Sequence, residues 1–223
     1  MSLRLEGKWI EMFALVFRLC GVKAGDVCAV LSETQTRPDL PQLSELALLR
    51  IGARPFHLVL PGKPLSAPVP MRSTGVSGAI DGAQPVVQAL AASVFVADCT
   101  VEGLQHAPEL PQILAGGARV LAISHEHPEI LERCLPRAED ELPVRDAMRR
   151  LKAAREMHVH SGAGTDLRVR LAGARIGGVW GFTAKPGIVR PPPGLDPAAA
   201  GLLLAAFSAV AGALKQQRMT NTG

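Results

Sequence analysis

Apolar and polar positions alternate in two different rhythms along the chain, and the change between them organises everything else. Residues 8–20 are apolar except for Lys8, Glu11 and Arg18, which fall at near-helical spacing and form a narrow wet stripe on a mostly buried helix. Gly21 and Gly25-Asp26 break that helix. Residues 27–31 are then a short, continuous, partly β-branched apolar run, as expected of a strand buried on both faces. The unit repeats. A helix is predicted over 40–50 with Gly52 as its stop, followed by a strand over 55–60. A helix opened by Pro85 runs to about 92, and a strand over 94–97 ends at Asp98. A short helix over 108–115 is closed by Gly116-Gly117, and a fourth strand spans 119–123. His125-Glu126-His127 follows, Pro128 opens a helix through Cys134, and a longer helix runs from about 141 to 155.

Beyond that helix the period shortens to two. Residues 157–160, 166–171 and 175–182 alternate, separated by Gly162, Gly164 and Gly173, the signature of antiparallel hairpins exposed on one face. The fold class is therefore α/β: a parallel sheet with flanking helices in the amino-terminal domain, then the start of an antiparallel, β-rich second domain. The expected divisions are residues 1–153, residues 154–187 as an incomplete hairpin domain, and a divergent Pro/Ala/Leu-rich tail over 188–223. Four buried strands alternating with helices imply parallel pairing, with right-handed crossovers. Ligands in such sheets sit beyond the strands' carboxyl ends, which draws attention to the loops at 32–37, 61–82, 98–100 and 124–127. The 61–82 loop, rich in Pro and Gly, is longer than the roughly 12–15 residues usual inside compact domains.

Composition narrows the function classes. With 48% hydrophobic residues and only 4% aromatics, Ala, Leu and Val must fill most of a substantial core. The net charge is +4, yet the densest basic stretch (Arg145, Arg149, Arg150, Lys152 and Arg155) is interleaved with apolar residues at helical spacing. That is the solvated face of an amphipathic helix, and no nucleic-acid partner is expected. The four cysteines, Cys20, Cys28, Cys99 and Cys134, lie far apart without a CxxC pair, and no signal peptide opens the chain. Free thiols in a reduced, cytoplasmic protein are the expectation, with Cys20 and Cys28 serving packing.

Candidate chemistry is sparse. His125 and His127 could contribute to a metal site, but a polar strand-to-helix turn with Pro128 at the first helical position accounts for them better. His158 and His160 project to one face of a predicted strand, as two half-exposed imidazoles would on any hairpin. The glycine-rich run over 161–166 lacks the helix behind it that a phosphate cradle needs. No cofactor-binding motif for a nucleotide is present. The weak pocket candidates are His158, Thr165 and Asp166, with Asp166 expected chiefly to tie off the hairpin turn through backbone amides.

The run Met157-His158-Val159-His160-Ser161-Gly162-Ala163-Gly164-Thr165-Asp166-Leu167 resembles the segment that opens the second part of 2,5-dihydroxypyridine 5,6-dioxygenases and of the related aminopeptidase T metallopeptidases. Gly181-Phe182-Thr183-Ala184-Lys185-Pro186-Gly187 extends the likeness. His127-Pro128-Glu129-Ile130-Leu131 and Cys134-Leu135-Pro136 resemble the dioxygenase branch more than the peptidases, and the similarity covers about residues 8–187. The resemblance implies a metal-dependent enzyme: either Fe(II) opening a dihydroxylated pyridine ring with O₂ in nicotinate-type catabolism, or a divalent metal pair in an aminopeptidase. It places the metal ligands in the carboxyl-terminal half of such proteins, so no metal ligand carries over to this chain. A small aromatic substrate follows from the dioxygenase branch, and a homo-oligomer is left open.

After Gly187 the pattern departs. Arg190-Pro191-Pro192-Pro193-Gly194 leads into an apolar segment over 197–214, more in keeping with a packed helix than a membrane span. A frameshift, a shortened gene or a genuine ending would each produce it. The expectation is a dioxygenase-like chain truncated before its metal site. The rivals are an aminopeptidase-like fragment and a non-catalytic partner or binding module.

Overall fold

Val27–Glu33 forms β1, whose five central residues are buried and which lies between two parallel neighbours. The computed structural model describes residues 4–62, 78–104, 107–123, 125–174, 176–178 and 180–184, and the backbone of 205–206. Within them the chain runs α1 (Gly7–Leu19), β1, α2 (Asp39–Ile51), β2 (Arg54–Leu60), α3 (Gln84–Ala91), β3 (Phe95–Asp98), α4 (Leu110–Ala115), β4 (Arg119–Ala122) and α5 (Pro128–Glu132). A 3₁₀ turn (Ala138–Asp140), α6 (Glu141–Ala153), β5 (Glu156–His160), β6 (Asp166–Arg170) and β7 (Ala205–Ala206) follow. The parallel sheet has the order β2-β1-β3-β4-β7, and β5 and β6 form a separate antiparallel pair. The expected α/β class is what the chain adopts.

Two compact units make up the chain: Met1–Pro136 with Gly181–Gly223, and Arg137–Trp180. In the first, side chains alternate across the sheet. Ala29, Leu31, Val96 and Val120 enter a core with Val87 and Leu90 of α3 and Leu110 and Ile113 of α4. Phe95 points to the opposite face and meets Phe17 of α1, ring centroids 5.0 Å apart, and Phe17 in turn touches Phe13 at 5.9 Å. These rings supply much of the aromatic packing in a chain so poor in aromatics. Removing a buried Phe of this kind costs about 3–5 kcal/mol.

Local signals explain the element ends. Gly52 closes α2 in the left-handed region (φ 86°), and its approach to Ala24 leaves little room for a side chain. His127 caps α5: its Nδ1 accepts the Glu129 amide at 3.3 Å, with Pro128 beginning the helix. The strand-to-helix turn expected for 125–128 is therefore present.

Several expectations need correction. The strands are not all buried on both faces: β2 is the edge of the sheet, and Val59 is 63% exposed. The third alternating segment, 175–182, contains no strand among its described residues. At Gly178 the backbone lies directly on α6, where an added Cβ would fall 2.6 Å from Met148 Sδ, so bare glycine and not strand pairing sets this stretch. The helix expected over 197–214 lies outside the described residues, apart from Ala205–Ala206, which pair with Leu121 and Ala122 of β4 as a short parallel strand. An open sheet edge offers such a segment unpaired amide and carbonyl groups. The centre of the long 61–82 loop, residues 63–77, also lies outside the described residues.

Candidate functional site at the carboxyl edge of the parallel sheet

The chain enters the sheet at β1, lays β2 on one side of it and then β3 on the other. This reversal makes the loops after β1 and β3 the place where a doubly wound sheet ordinarily opens a ligand crevice. Here side chains stitch the two loops together. Glu33, the last residue of β1, accepts the Val101 amide on Oε1 at 2.5 Å. Thr36 accepts the Glu33 amide at 2.9 Å and donates its hydroxyl to the Cys99 carbonyl at 3.0 Å. From the third loop, His125 Nε2 accepts the Arg37 amide at 2.7 Å, which places the neutral ring's proton on Nδ1.

Asp98 anchors the loop after β3. It is fully buried, and both carboxylate oxygens are engaged. Oδ1 accepts the Thr100 amide at 3.1 Å and its hydroxyl at 2.6 Å, while Oδ2 accepts the Leu104 amide at 2.6 Å. The Thr100 hydroxyl oxygen also takes the Gly103 amide at 3.1 Å. A buried carboxylate is tolerated when several donors replace its water. The loops were identifiable from sequence, but Glu33, Thr36 and Thr100 were not singled out. The Asp98-Cys99-Thr100 spacing, an Asp accepting the amide two residues on, was the one local signal available.

In the second unit the hairpin brings two of the three pocket candidates together. His158 Nε2 and Asp166 Oδ1 are 2.5 Å apart across the strands, and His160 stands opposite Asp166 with its ring 6.4 Å from that of His158. All are exposed. Thr165 is in the turn, where its carbonyl accepts the Ser161 amide at 3.0 Å and its own amide donates to Ser161 Oγ at 3.3 Å. Ser161, with Gly164 at φ 94°, ties this turn, the task expected of Asp166. The reason is register: Asp166 is already the first residue of β6, so its carboxylate faces the strand opposite.

The basic helix behaves as a solvated face. Arg145 pairs with Glu141 and stacks 4.6 Å above the Trp180 ring, and Arg149 and Arg150 both reach Asp146. Among the described residues no helix is long and apolar enough to cross a membrane. All four cysteines are unbridged. Burial pushes the Cys20 thiol up to about 11, against smaller opposing effects of a Thr183 hydrogen bond and Arg119. Burial, helped by the Asp26 charge, pushes Cys28 up to about 12.

The iron implied by the resemblance can be tested against these donors. Among the described residues no three His, Cys, Asp or Glu side chains are grouped to hold a metal ion. At the carboxyl edge, both oxygens of Asp98 and the ring nitrogens His125 Nε2 and His127 Nδ1 already accept amide protons. The residues described do not fit an iron centre.

A five-strand parallel sheet with helices on both faces, its carboxyl-edge loops tied together, and a small antiparallel unit define a mixed α/β scaffold of the kind that carries enzyme active sites. The chain belongs to the NicX family, 2,5-dihydroxypyridine 5,6-dioxygenase, whose profile matches residues 8–195. The 2,5-dihydroxypyridine 5,6-dioxygenase of Pseudomonas putida KT2440 is 32% identical over 179 residues, covering 79% of this chain and 50% of the relative. The solved structure of 2,5-dihydroxypyridine dioxygenase from Pseudomonas putida KT2440 superposes with a TM-score of 0.67 at 30% identity, covering 82% of this chain and 53% of that one. The chain thus spans about half the length of the relatives it matches, and it resembles their amino-terminal part. Of the two branches weighed from sequence, the match falls on the dioxygenases.

Proposed function

We propose that this chain serves the oxidative opening of a dihydroxypyridine ring by O₂, in nicotinate-type catabolism, as the scaffold half of the site. The observation that carries the reading is the family match across residues 8–195, over the sheet and the hairpin together. In this reading the stitched loops after β1 and β3 form a rigid floor, held by Glu33, Thr36 and Asp98. Within the second unit, His158, Thr165 and Asp166 are the pocket candidates, with Asp166 orienting the His158 imidazole. The Fe(II) that the resemblance implies is held by groups that this chain does not supply, and the substrate is a small aromatic.

The test mixes this chain with the carboxyl-terminal half of the Pseudomonas putida relative, Fe(II) and 2,5-dihydroxypyridine under an oxygen electrode. The expected result is equimolar loss of O₂ and of the pyridine. Hydrolysis of Leu-p-nitroanilide by the mixture, with no O₂ consumed, would overturn the dioxygenase reading in favour of a peptidase. One tightly bound iron per chain with turnover by this chain alone would overturn the scaffold assignment.

A further inference from the structure

The second unit, Arg137–Trp180, carries apolar surface that it does not bury. Among its described residues Leu171 alone is buried, and α6 buries none of its side chains. The hairpin register sorts its residues into two unlike faces. Glu156, His158 and His160 share one face with Asp166, Arg168 and Arg170, where Arg168 pairs with Glu156 at 3.2 Å and His158 with Asp166. The other face pairs Met157 with Val169 and Val159 with Leu167. On it Leu167 is 46% and Val159 37% exposed.

A two-stranded hairpin is at best marginal in water without further strands or a layer over its apolar face. The described strands leave the outer edges of both β5 and β6 without a neighbouring strand, which is a template for β-addition. On the polar face Arg168 already pairs with Glu156 and His158 with Asp166, so a partner is drawn to the side of Met157, Val159, Leu167 and Val169. What belongs there follows from coverage. The hairpin lies near the carboxyl end of the matched span, 8–195, and that span accounts for only 50% and 53% of the relatives. In those relatives a polypeptide of similar size remains to be packed.

We infer that the Met157–Val159–Leu167–Val169 face of the hairpin is a docking surface for the polypeptide corresponding to the unmatched half of these relatives, which adds β-strands to β5 or β6 and covers the apolar side chains. The inference rests on the family reading. Its chemistry is backbone pairing along a strand edge combined with burial of aliphatic side chains.

The test uses the full 223-residue chain and the carboxyl-terminal half of the Pseudomonas putida relative as a separate polypeptide. Hydrogen–deuterium exchange should slow at least tenfold at β5 and β6 amides on mixing. Val159→Lys with Leu167→Lys should weaken association at least tenfold, while Arg168→Gln on the polar face should leave it unchanged. Unprotected hairpin amides, or undiminished binding by the double variant, would overturn the inference. So would concentration-dependent protection of the hairpin in this chain alone, which would assign the face to a second copy. Oxygen uptake with 2,5-dihydroxypyridine is read on the same mixture: a protected hairpin without uptake counts against the dioxygenase reading only, and uptake with an unprotected hairpin against this inference only.

Discussion

Glu33 and Val101, 68 residues apart, are joined by a 2.5 Å hydrogen bond from the Val101 amide to the Glu33 carboxylate. The bond spans the position where a doubly wound sheet usually opens its ligand crevice. It ties the loop after β3 to the last side chain of β1. Replacing Glu33 by Ala would free the Val101 amide, and a charged hydrogen bond of this kind contributes about 1.5–3 kcal/mol. The Glu33→Ala chain is expected to unfold at lower urea concentration, with faster amide exchange at Val101. Unchanged exchange there would show that the bond does not hold the loop.

Asp98→Ala is expected to cost more. The substitution leaves the Thr100 and Leu104 amides without their acceptor in a fully buried setting. Each abandoned donor costs about 1–3 kcal/mol, so a loss on the order of 3–5 kcal/mol is expected from urea unfolding. Asp98→Asn retains one carbonyl acceptor and should lose roughly half as much. A loss under about 1 kcal/mol for Asp98→Ala would mean the loop is held by something else.

Thiol chemistry separates Cys134 from the other three cysteines. Cys20, Cys28 and Cys99 are buried, and Cys134 is exposed. At pH 8 one thiol per chain should react rapidly with a disulfide reagent, none in Cys134→Ser, and four after denaturation. Because the folded values of Cys20 and Cys28, about 11 and about 12, lie above the ordinary 9.0, the thiols favour the folded state fully below pH 9. That contribution is lost as pH rises through 11 and 12. Unfolding followed against pH should show stability falling from about pH 9 upward, and less steeply in Cys20→Ala.

Two adjacent glycines should respond to alanine for different reasons. At Gly116 the backbone is ordinary helix (φ −69°), but a Cβ would meet the Ala91 carbonyl oxygen at 2.4 Å. At Gly117 nothing lies within 4 Å, but φ is 95°. Gly116→Ala must push the ends of α3 and α4 apart, at about 1–3 kcal/mol. Gly117→Ala meets only backbone strain, about 1–2 kcal/mol. Thermal unfolding of both variants, with exchange at Val87 and Leu90 as the local reporter, checks the distinction: only Gly116→Ala should loosen α3.

The His158–Asp166 pair is exposed on both sides, so its removal should scarcely touch stability. Asp166→Asn is expected to change the unfolding free energy by under about 1 kcal/mol. A large effect on ring-opening activity in the reconstituted mixture, with stability intact, would support the role proposed for Asp166. Equal activity would return the pair to the hairpin's surface.

Much of the scaffold is legible along the chain because its determinants are local. Continuous apolar runs mark β1, β3 and β4, Gly52 marks the end of α2, Pro128 marks the start of α5, and period-two alternation marks β5 and β6. The segment 175–182 misled because alternation alone does not report that Gly178 must lie flat against Met148. The burial of β2 was overestimated because an apolar run says nothing about which strand ends a sheet.

The sequence by itself determined most of the helices and strands, their order, and the family to which the chain is similar, since periodicity, turn residues and short motifs are properties of neighbours along the polymer. The strand order, the bonds from Val101 to Glu33 and from Arg37 to His125, the burial of Asp98, and the pairing of His158 with Asp166 were decided only by tertiary structure. Those contacts join residues separated by 8 to 88 positions, and such pairs meet only when the layers have packed and the register is set. No pattern within one segment encodes them.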